Sequence, residues 1–170
     1  VHGCGGVGLS AVHTADALGA NVIAIDLKQD ALDLAVELGA DMTVKVDEVT
    51  DVSRTVKGFT PRSTGCDVSV DALGIAVTLQ NSINSLGPGG QHLQIGLTTS
   101  DEQGEVAIPV DNMVYDEQEF VGSYGMPPHE YDSIFQMMET GKINPGRIVN
   151  DTLTLDEVPE TIASMGEYDT

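Results

Sequence analysis

Short runs of Val, Ile and Leu alternate along the chain with longer segments whose apolar residues repeat at helical spacing. The first run is only Val1 and His2, because Gly3 follows them directly. Continuous apolar runs such as 21–26 are typical of parallel strands that are buried on both faces. After the first remnant, the pattern predicts strands at 21–26, 42–46, 67–71, 92–95 and 120–123, and a short extended piece at 152–155.

Helical periodicity fills the intervals between these strands. The predicted helices cover 10–18, 30–38, 51–57, 76–86, 131–139 and 156–165. Gly19, Gly39 and Gly141 follow three of the helices, where glycine commonly ends a helix, and the cluster from Gly87 to Gly90 predicts a turn. Right-handed connections between parallel strands place helices on both faces of one open sheet. We therefore predict one α/β domain with a Rossmann-type doubly wound parallel sheet, in three α/β/α layers.

Composition narrows the classes of function. The 170 residues include 27 acidic and 7 basic side chains, for a formal net charge of −20, and a hydrophobic content of 41% argues against disorder. The charge repels phosphate backbones and anionic lipids, so we expect no nucleic-acid and no membrane partner. No apolar run reaches the roughly 18 residues that span a bilayer, and a cytoplasmic protein is expected. Four lysines among so many acids predict an extreme halophile, with an ordinary acidic protein as the alternative.

The candidate chemistry lies in the glycine-rich segment that follows the first remnant. Gly3-Cys4-Gly5-Gly6-Val7-Gly8 matches G-x-G-x-x-G between a strand and a helix, and Asp26 lies 18 residues beyond Gly8 at the end of the next strand. The helix start offers free N–H groups to a pyrophosphate, and an acid in that position accepts the hydroxyls of the adenosine ribose. Because the charge of Asp26 repels a 2′-phosphate, the pattern favours NAD over NADP.

Two other enzyme classes share parts of this pattern. Methyltransferases that use S-adenosylmethionine usually carry an acid just before the glycines, where this chain has Val1 and His2. Short-chain dehydrogenases require Tyr-x-x-x-Lys, which none of Tyr115, Tyr124 and Tyr131 begins. Both classes are therefore disfavoured.

Five longer segments extend the pattern beyond the glycine motif: GCGGVGLSAV at 3–12, IDLKQDALDLAVELGAD at 25–41, GCDVSVDALG at 65–74, QIGL at 94–97 and VGSYGM at 121–126. With them, nearly the whole chain resembles the cofactor domain of the zinc-type alcohol dehydrogenases in the medium-chain dehydrogenase superfamily. Many members have Lys or Arg five residues after the ribose-binding acid, where this chain has Ala31, so Lys28 is the candidate substitute. The cofactor-binding residues that the resemblance implies are Gly3, Gly5, Gly6, Val7, Gly8, Asp26, Lys28, Leu73, Gly74, Ile95, Gly96, Leu97, Ser123 and Tyr124.

The same resemblance implies that residues 1–170 form a dinucleotide-binding domain, truncated at its first strand, and that the catalytic zinc domain is absent from this chain. Cys4 and Cys66 match no zinc ligand, and the four histidines are expected to be structural or exposed. No catalytic residue and no metal ligand is therefore predicted in this chain. The cofactors expected for the parent enzyme are NAD and zinc, with the zinc ligands outside the sequence.

The function that follows is hydride transfer between NAD and a small-molecule substrate, which is an alcohol in one direction and an aldehyde in the other. Two alternatives stay open: a zinc-free quinone or enoyl reductase of the same superfamily, and a nucleotide-sensing module without catalysis. The family resemblance also implies a homodimer or homotetramer that pairs the sheet edge at 120–123.

Overall fold

The computed structural model describes residues 1–149 and 152–164, which contain five strands and seven α-helices. The strands are β1 Ile23–Asp26, β2 Met42–Lys45, β3 Cys66–Asp71, β4 Leu86–Gln94 and β5 Glu119–Gly122. The helices are α1 Gly6–Ala17, α2 Gln29–Glu37, α3 Val52–Phe59, α4 Ala76–Asn84, α5 Val110–Tyr115, α6 Tyr131–Glu139 and α7 Val158–Ser164. Within the described ranges, no helix combines the length and the apolar content needed to cross a bilayer.

The strands form an open parallel sheet whose centre is the extended segment at Val1 and His2. His2 makes parallel bridges to Ile25 in β1 and to Asp71 in β3. Because β1 also pairs with β2 while β3 pairs with β4 and β4 with β5, the spatial order is β2-β1-His2-β3-β4-β5. All of these pairings are parallel, which confirms the predicted Rossmann-type sheet.

Alternating residues from Val22 through β1 contribute to two apolar clusters, one on each face of the sheet. Val22 and Ala24 belong to the first apolar cluster, while Ile23 and Ile25 belong to the second. The first cluster also contains Leu9, Val12, Leu32, Ala35 and Leu38 from α1, α2 and the residue after α2. The second contains Val44, Val52 and Val56 from β2 and α3. Helices therefore cover both faces, as the doubly wound prediction requires.

The three predicted helix-ending glycines all lie in the left-handed region, with φ of +84° at Gly19, +114° at Gly39 and +71° at Gly141. After α1, the Gly19 N–H donates to the Asp16 carbonyl at 2.8 Å and the Ala20 N–H to the Ala15 carbonyl at 3.0 Å. This is the Schellman pattern, in which backbone amides satisfy the last carbonyls of the helix.

The start of the first helix was predicted wrongly. It begins at Gly6 rather than at residue 10, so the helix includes the last three residues of the glycine motif. Glycine has a low intrinsic helix propensity, and the pattern of apolar residues therefore placed the boundary too late.

The turn predicted from Gly87 to Gly90 lies inside β4 as an irregularity of the strand. Cys66 of β3 pairs with Leu86, yet Val68 pairs with Gln91, so the intervening residues of β4 bulge out of the ladder. The Gly89 N–H donates instead to the Asp116 carbonyl at 2.7 Å. The six-residue helix α5 was not predicted, and the predicted end of the last helix at Met165 lies outside the described residues.

Candidate functional site

The glycine motif forms a tight turn that leads into α1. The first helical bond runs from the Leu9 N–H to the Gly5 carbonyl at 2.8 Å, and no side chain caps the helix. The amides of Gly6, Val7 and Gly8 therefore have no acceptor within the helix. Together with the positive end of the helix dipole, these amides form a site suited to an anion.

The glycines of the motif occupy their positions for different physical reasons. A Cβ on Gly8 would lie 1.7 Å from the Gly3 carbonyl oxygen, so only glycine lets α1 approach the turn this closely. Gly3 has φ of +89°, and a Cβ there would lie 2.7 Å from Leu73 Cγ. In contrast, a Cβ on Gly5 or Gly6 would meet nothing within 4 Å. The turn is therefore open at Gly5 and Gly6, next to the amides that lack an acceptor.

Asp26 ends β1 beside this turn. Its Oδ2 accepts the Cys4 N–H at 2.6 Å, and its Oδ1 accepts the Lys28 N–H at 2.9 Å. Each carboxylate oxygen has further lone pairs, and the residue is only half-buried, so both oxygens can accept hydroxyl groups. Lys28 lies at the start of α2 with an exposed side chain, whereas Ala31 packs against the first apolar cluster.

A second group of predicted residues meets at the carboxyl ends of β3 and β4. Gly74 has φ of +91°, and a Cβ there would lie 2.1 Å from the Leu97 carbonyl oxygen. Similarly, a Cβ on Gly96 would lie 2.4 Å from the Gly74 nitrogen. The loop at 73–74 and the segment at 95–97 therefore contact each other backbone to backbone.

The remaining predicted residues extend this edge of the sheet. The Ser123 N–H donates to the Gln94 carbonyl at 2.9 Å, which places Ser123 next to Ile95. The Tyr124 side chain is 91% exposed. Because Leu73 also lies against Gly3, the loop at 73–74 connects the phosphate turn to the ends of β4 and β5. The sheet order reverses at this point, between the segment at Val1 and His2 and β3, where open α/β sheets bind their ligands.

Sequence reasoning missed Asp71, which ends β3 and is completely buried. Its Oδ1 accepts the Leu73 N–H at 3.0 Å and the Gly74 N–H at 3.2 Å. The available signal was an acid at the end of an apolar strand, three residues before a glycine. Asp26 also ends an apolar strand, and it was recognised because its spacing to the glycine motif is known from dinucleotide sites.

The cysteines and histidines have structural environments. Burial raises the pKa of the Cys4 thiol to about 12, which leaves it protonated and unreactive. His13 is buried, with Nδ1 at 3.1 Å from the Leu38 carbonyl oxygen and Nε2 accepting the Asn144 N–H at 2.9 Å. His2 and His92 are also buried, whereas His129 is exposed. Within 1–149 and 152–164, no three His, Cys, Asp or Glu side chains are grouped to hold a metal ion.

Comparison with known structures agrees with the fold. The alcohol dehydrogenase TADH from Thermus sp. ATN1 superposes with a TM-score of 0.87 at 26% identity, over 99% of this chain and 48% of that one. A putative zinc-binding dehydrogenase from Sinorhizobium meliloti, solved with NADP, superposes with a TM-score of 0.84 at 28% identity, over 95% of this chain and 47% of its own. These neighbours share the Rossmann-type dinucleotide-binding fold.

Sequence comparison identifies the family. An NAD-dependent alcohol dehydrogenase of Sulfurisphaera tokodaii is 27% identical over 168 residues, which cover 96% of this chain and 45% of that protein. The profile of the zinc-binding dehydrogenase family matches residues 6–140. The chain therefore belongs to the zinc-binding dehydrogenase family. It spans about half the length of the curated relatives that it matches.

Proposed function

We propose that this chain is the NAD-binding domain of a zinc-type alcohol dehydrogenase, which transfers a hydride between an alcohol and NAD. The observation that carries the proposal is the phosphate turn. The amides of Gly6, Val7 and Gly8 have no acceptor within α1, the turn is open at Gly5 and Gly6, and the Asp26 carboxylate accepts the Cys4 N–H. The similarity to the S. tokodaii enzyme supports NAD as the cofactor and an alcohol as the class of substrate.

Each part of the cofactor has residues that fit it. The amides at the start of α1 bind the pyrophosphate, and Asp26 accepts hydroxyls of the adenosine ribose. The backbone edges at Gly74, at 95–97 and at Ser123 orient the nicotinamide ring, while Lys28 and Tyr124 lie at the rim. NAD, when bound, supplies the hydride-accepting chemistry, and the protein supplies its orientation.

The preference for NAD over NADP rests on the negative charge of Asp26. Titration of the intact protein should show NADH binding at least about tenfold more tightly than NADPH, because the carboxylate repels a 2′-phosphate and accepts a 2′-hydroxyl. Asp26→Ser should narrow this ratio. Asp30→Ser, an identical change on the exposed first turn of α2, is the control and should leave the ratio unchanged.

Equal or tighter binding of NADPH to the unmodified protein would refute the assignment of Asp26. The choice between NAD and NADP needs this test, since the S. meliloti structure was solved with NADP.

The zinc of the parent enzyme is proposed to bind residues outside this chain, in a separate catalytic domain. The described residues of this chain do not form a zinc site, because no three His, Cys, Asp or Glu side chains among them lie close enough together to hold a metal ion. Metal analysis of the intact protein and assays with small alcohols and aldehydes test this proposal. Turnover of quinones or enoyl compounds without zinc would favour the zinc-free reductase, and cofactor binding without turnover would favour a sensing module.

The assembly proposed is a homodimer or homotetramer joined through β5. All four residues of β5 are exposed, including Phe120 and Val121, although apolar strand residues normally pack. Val121→Lys should lower the mass measured by light scattering in high salt. Val36→Lys, at an exposed valine on α2, is the control, and a protein that is already monomeric without substitution would end the proposal.

A cytoplasmic protein of a halophile is proposed from the net charge of −20. Ion pairs in the described ranges are confined to Lys45 with Asp47 and Glu48 and to His129 with Glu130, so the charge is mostly uncompensated. Molar salt screens such self-repulsion over about 3 Å. The melting temperature should therefore rise from low to molar salt, and an unchanged value would count against this origin.

A further inference from the structure

We propose that Asp71 is a positioning residue for the nicotinamide half of the cofactor, an inference that rests on the proposed NAD site. Its buried carboxylate holds the loop at 73–74 against the end of β4. Asp71 itself does not touch the cofactor in this proposal. It acts through the backbone that lines the ring.

The carboxylate organises the loop directly. Oδ1 accepts the N–H groups of Leu73 and Gly74 at 3.0 and 3.2 Å, and Oδ2 lies 3.2 Å from the same Gly74 nitrogen. The Thr78 hydroxyl, on the first turn of α4, lies 3.0 Å from Oδ1 and also 3.0 Å from the Ile75 carbonyl oxygen. The loop is thereby fixed at both of its ends.

The main chain of the same residue holds the neighbouring strand. The Asp71 carbonyl oxygen accepts the N–H of Ile95 at 3.0 Å and the N–H of Gly96 at 2.9 Å. One residue thus anchors both backbone segments that meet at Gly74 and Gly96. Because their contact leaves no room for a Cβ, a small displacement of either segment moves the other.

Gln94 connects this carboxylate to the core. Its Nε2 donates to Asp71 Oδ2 at 2.9 Å and to the Gly96 carbonyl at 2.7 Å, which uses both of its protons. Its Oε1 therefore accepts from Nε2 of His92 at 2.9 Å. The other ring nitrogen of His92 must then accept, and the hydroxyls of Ser69 and Ser82 lie 3.1 and 3.2 Å away.

This network favours a carboxylate at position 71. The amides of Leu73 and Gly74 and the Gln94 Nε2 all donate to Asp71, and asparagine would place its own NH₂ against at least one of these donors. No Lys or Arg within 1–149 and 152–164 forms an ion pair with Asp71. Removing the carboxylate therefore leaves buried donors unsatisfied without exposing an unpaired cation.

The adenosine half of the site is held by different residues. Asp26 receives the Cys4 and Lys28 amides, whereas Asp71 receives those of Leu73 and Gly74. Leu73 also lies against Gly3 of the phosphate turn, so a loss of position at 73–74 and 95–96 should affect the nicotinamide most and the adenosine and pyrophosphate much less. General unfolding would affect both halves equally.

The experiment compares two ligands on the intact protein. NADH carries both halves, and its fluorescence reports the surroundings of the nicotinamide, whereas ADP-ribose lacks the nicotinamide. Asp71→Asn should weaken NADH binding by about tenfold or more and leave ADP-ribose within about twofold. The matched control is Asp41→Asn, because the Asp41 carboxylate also accepts a backbone amide, that of Val22 at 2.7 Å, but lies outside the site. It should change neither affinity.

If Asp71→Asn does not fold, Thr78→Val removes a single donor to the carboxylate and should still weaken NADH by about threefold with ADP-ribose unchanged. Equal losses for both ligands, or no loss for either, would overturn the positioning role. A parent protein that binds neither ligand would instead refute the proposed NAD site.

Discussion

The two halves of the sheet are packed by different means. Residues 1–64 enclose β1 and β2 between two apolar clusters, and the buried polar side chains there are His2 and His13. The half that contains β3 to β5 buries a larger set of polar side chains, namely Ser69, Asp71, Ser82, Ser85 and His92. Non-directional burial therefore has the larger share in the first half, and hydrogen bonds that specify particular backbone positions have the larger share in the second.

The two halves also differ in how many large apolar side chains they expose to solvent. The second half exposes Leu97, Val114, Tyr115, Phe120, Tyr124 and Leu155, several of them by more than 70%. Exposed apolar groups that cluster on one side commonly mark an interface.

The largest difference between the halves should appear in their response to truncated side chains. Leu32 is 1% exposed in the first apolar cluster, so Leu32→Ala should lower the free energy of unfolding by about 2–5 kcal/mol. Phe120→Ala on β5, where the ring is 42% exposed, should cost clearly less. Chemical denaturation measures both, and an equal loss would show that the second half has the same kind of core.

Gly8→Ala should have the next largest effect, because the added Cβ would lie 1.7 Å from the Gly3 carbonyl oxygen. Overpacking of this kind costs about 1–3 kcal/mol or more and should also abolish NADH binding by opening the turn. Gly58→Ala is the matched control, since a Cβ at this helical glycine of α3 meets nothing within 4 Å. That variant should be neutral or slightly stabilised, and a neutral Gly8→Ala would contradict the close approach.

The buried histidine of the second half should make stability depend on pH. Burial lowers the pKa of His92, so the unfolded chain binds a proton before the folded protein does. Stability is therefore complete above the unfolded pKa of about 6.5 and decreases as the pH falls below it, by at most about 1.4 kcal/mol per pH unit. His92→Gln should reduce the slope between pH 6.5 and the range where carboxylates titrate, while His2, whose pKa burial lowers still further, keeps its own contribution.

His129→Gln serves as the control for that measurement, because this histidine is exposed. Melting temperatures over the pH series should be the same for His129→Gln and the unmodified protein. An unchanged slope in His92→Gln would place the pH dependence elsewhere in the molecule.

The smallest effect is expected at the loop that follows β4. Glu102 accepts the Ala76 N–H at the start of α4 and the Thr99 N–H, both at 3.1 Å. Hydrogen bonds from Thr99 and then Ala76 lower the pKa of this carboxyl, so its stabilisation is present above the unfolded pKa of about 4.5 and is lost at lower pH. Glu102→Gln should lower the melting temperature slightly at pH 7 and not at pH 3, whereas Glu105→Gln should not lower it.

Most strands and helices could be predicted, because their apolar periodicity reflects burial in a regular element. The prediction at 131–139 matches α6 as the structure has it, and the remnant at Val1 and His2 lies in the sheet as expected. The errors are local. Gly6 to Gly8 are poor helix formers, and their helical conformation depends on docking against Gly3. The six residues of α5 are too few to show a period.

The candidate site also contains residues that the sequence identified and residues whose role only the structure shows. Gly3 to Gly8 and Asp26 could be identified because sequence spacing alone brings them together across one βαβ unit. Gly74 and Gly96 lie in loops that follow different strands. The family resemblance indicated both positions, but it did not indicate that they contact each other. Asp71 went unnoticed because its role depends on Thr78 and Gln94, whose distance along the chain carries no signal.

The sequence by itself determined the α/β architecture, the phosphate turn and the acid beside it, since local burial patterns and conformational demands on glycine are written in consecutive residues. Only the tertiary structure decided that Asp71 is buried among donors and that the ends of β3 and β4 meet without room for a Cβ. The physical reason is that hydrogen bonding and close packing depend on distances between segments, which periodicity along one segment does not contain.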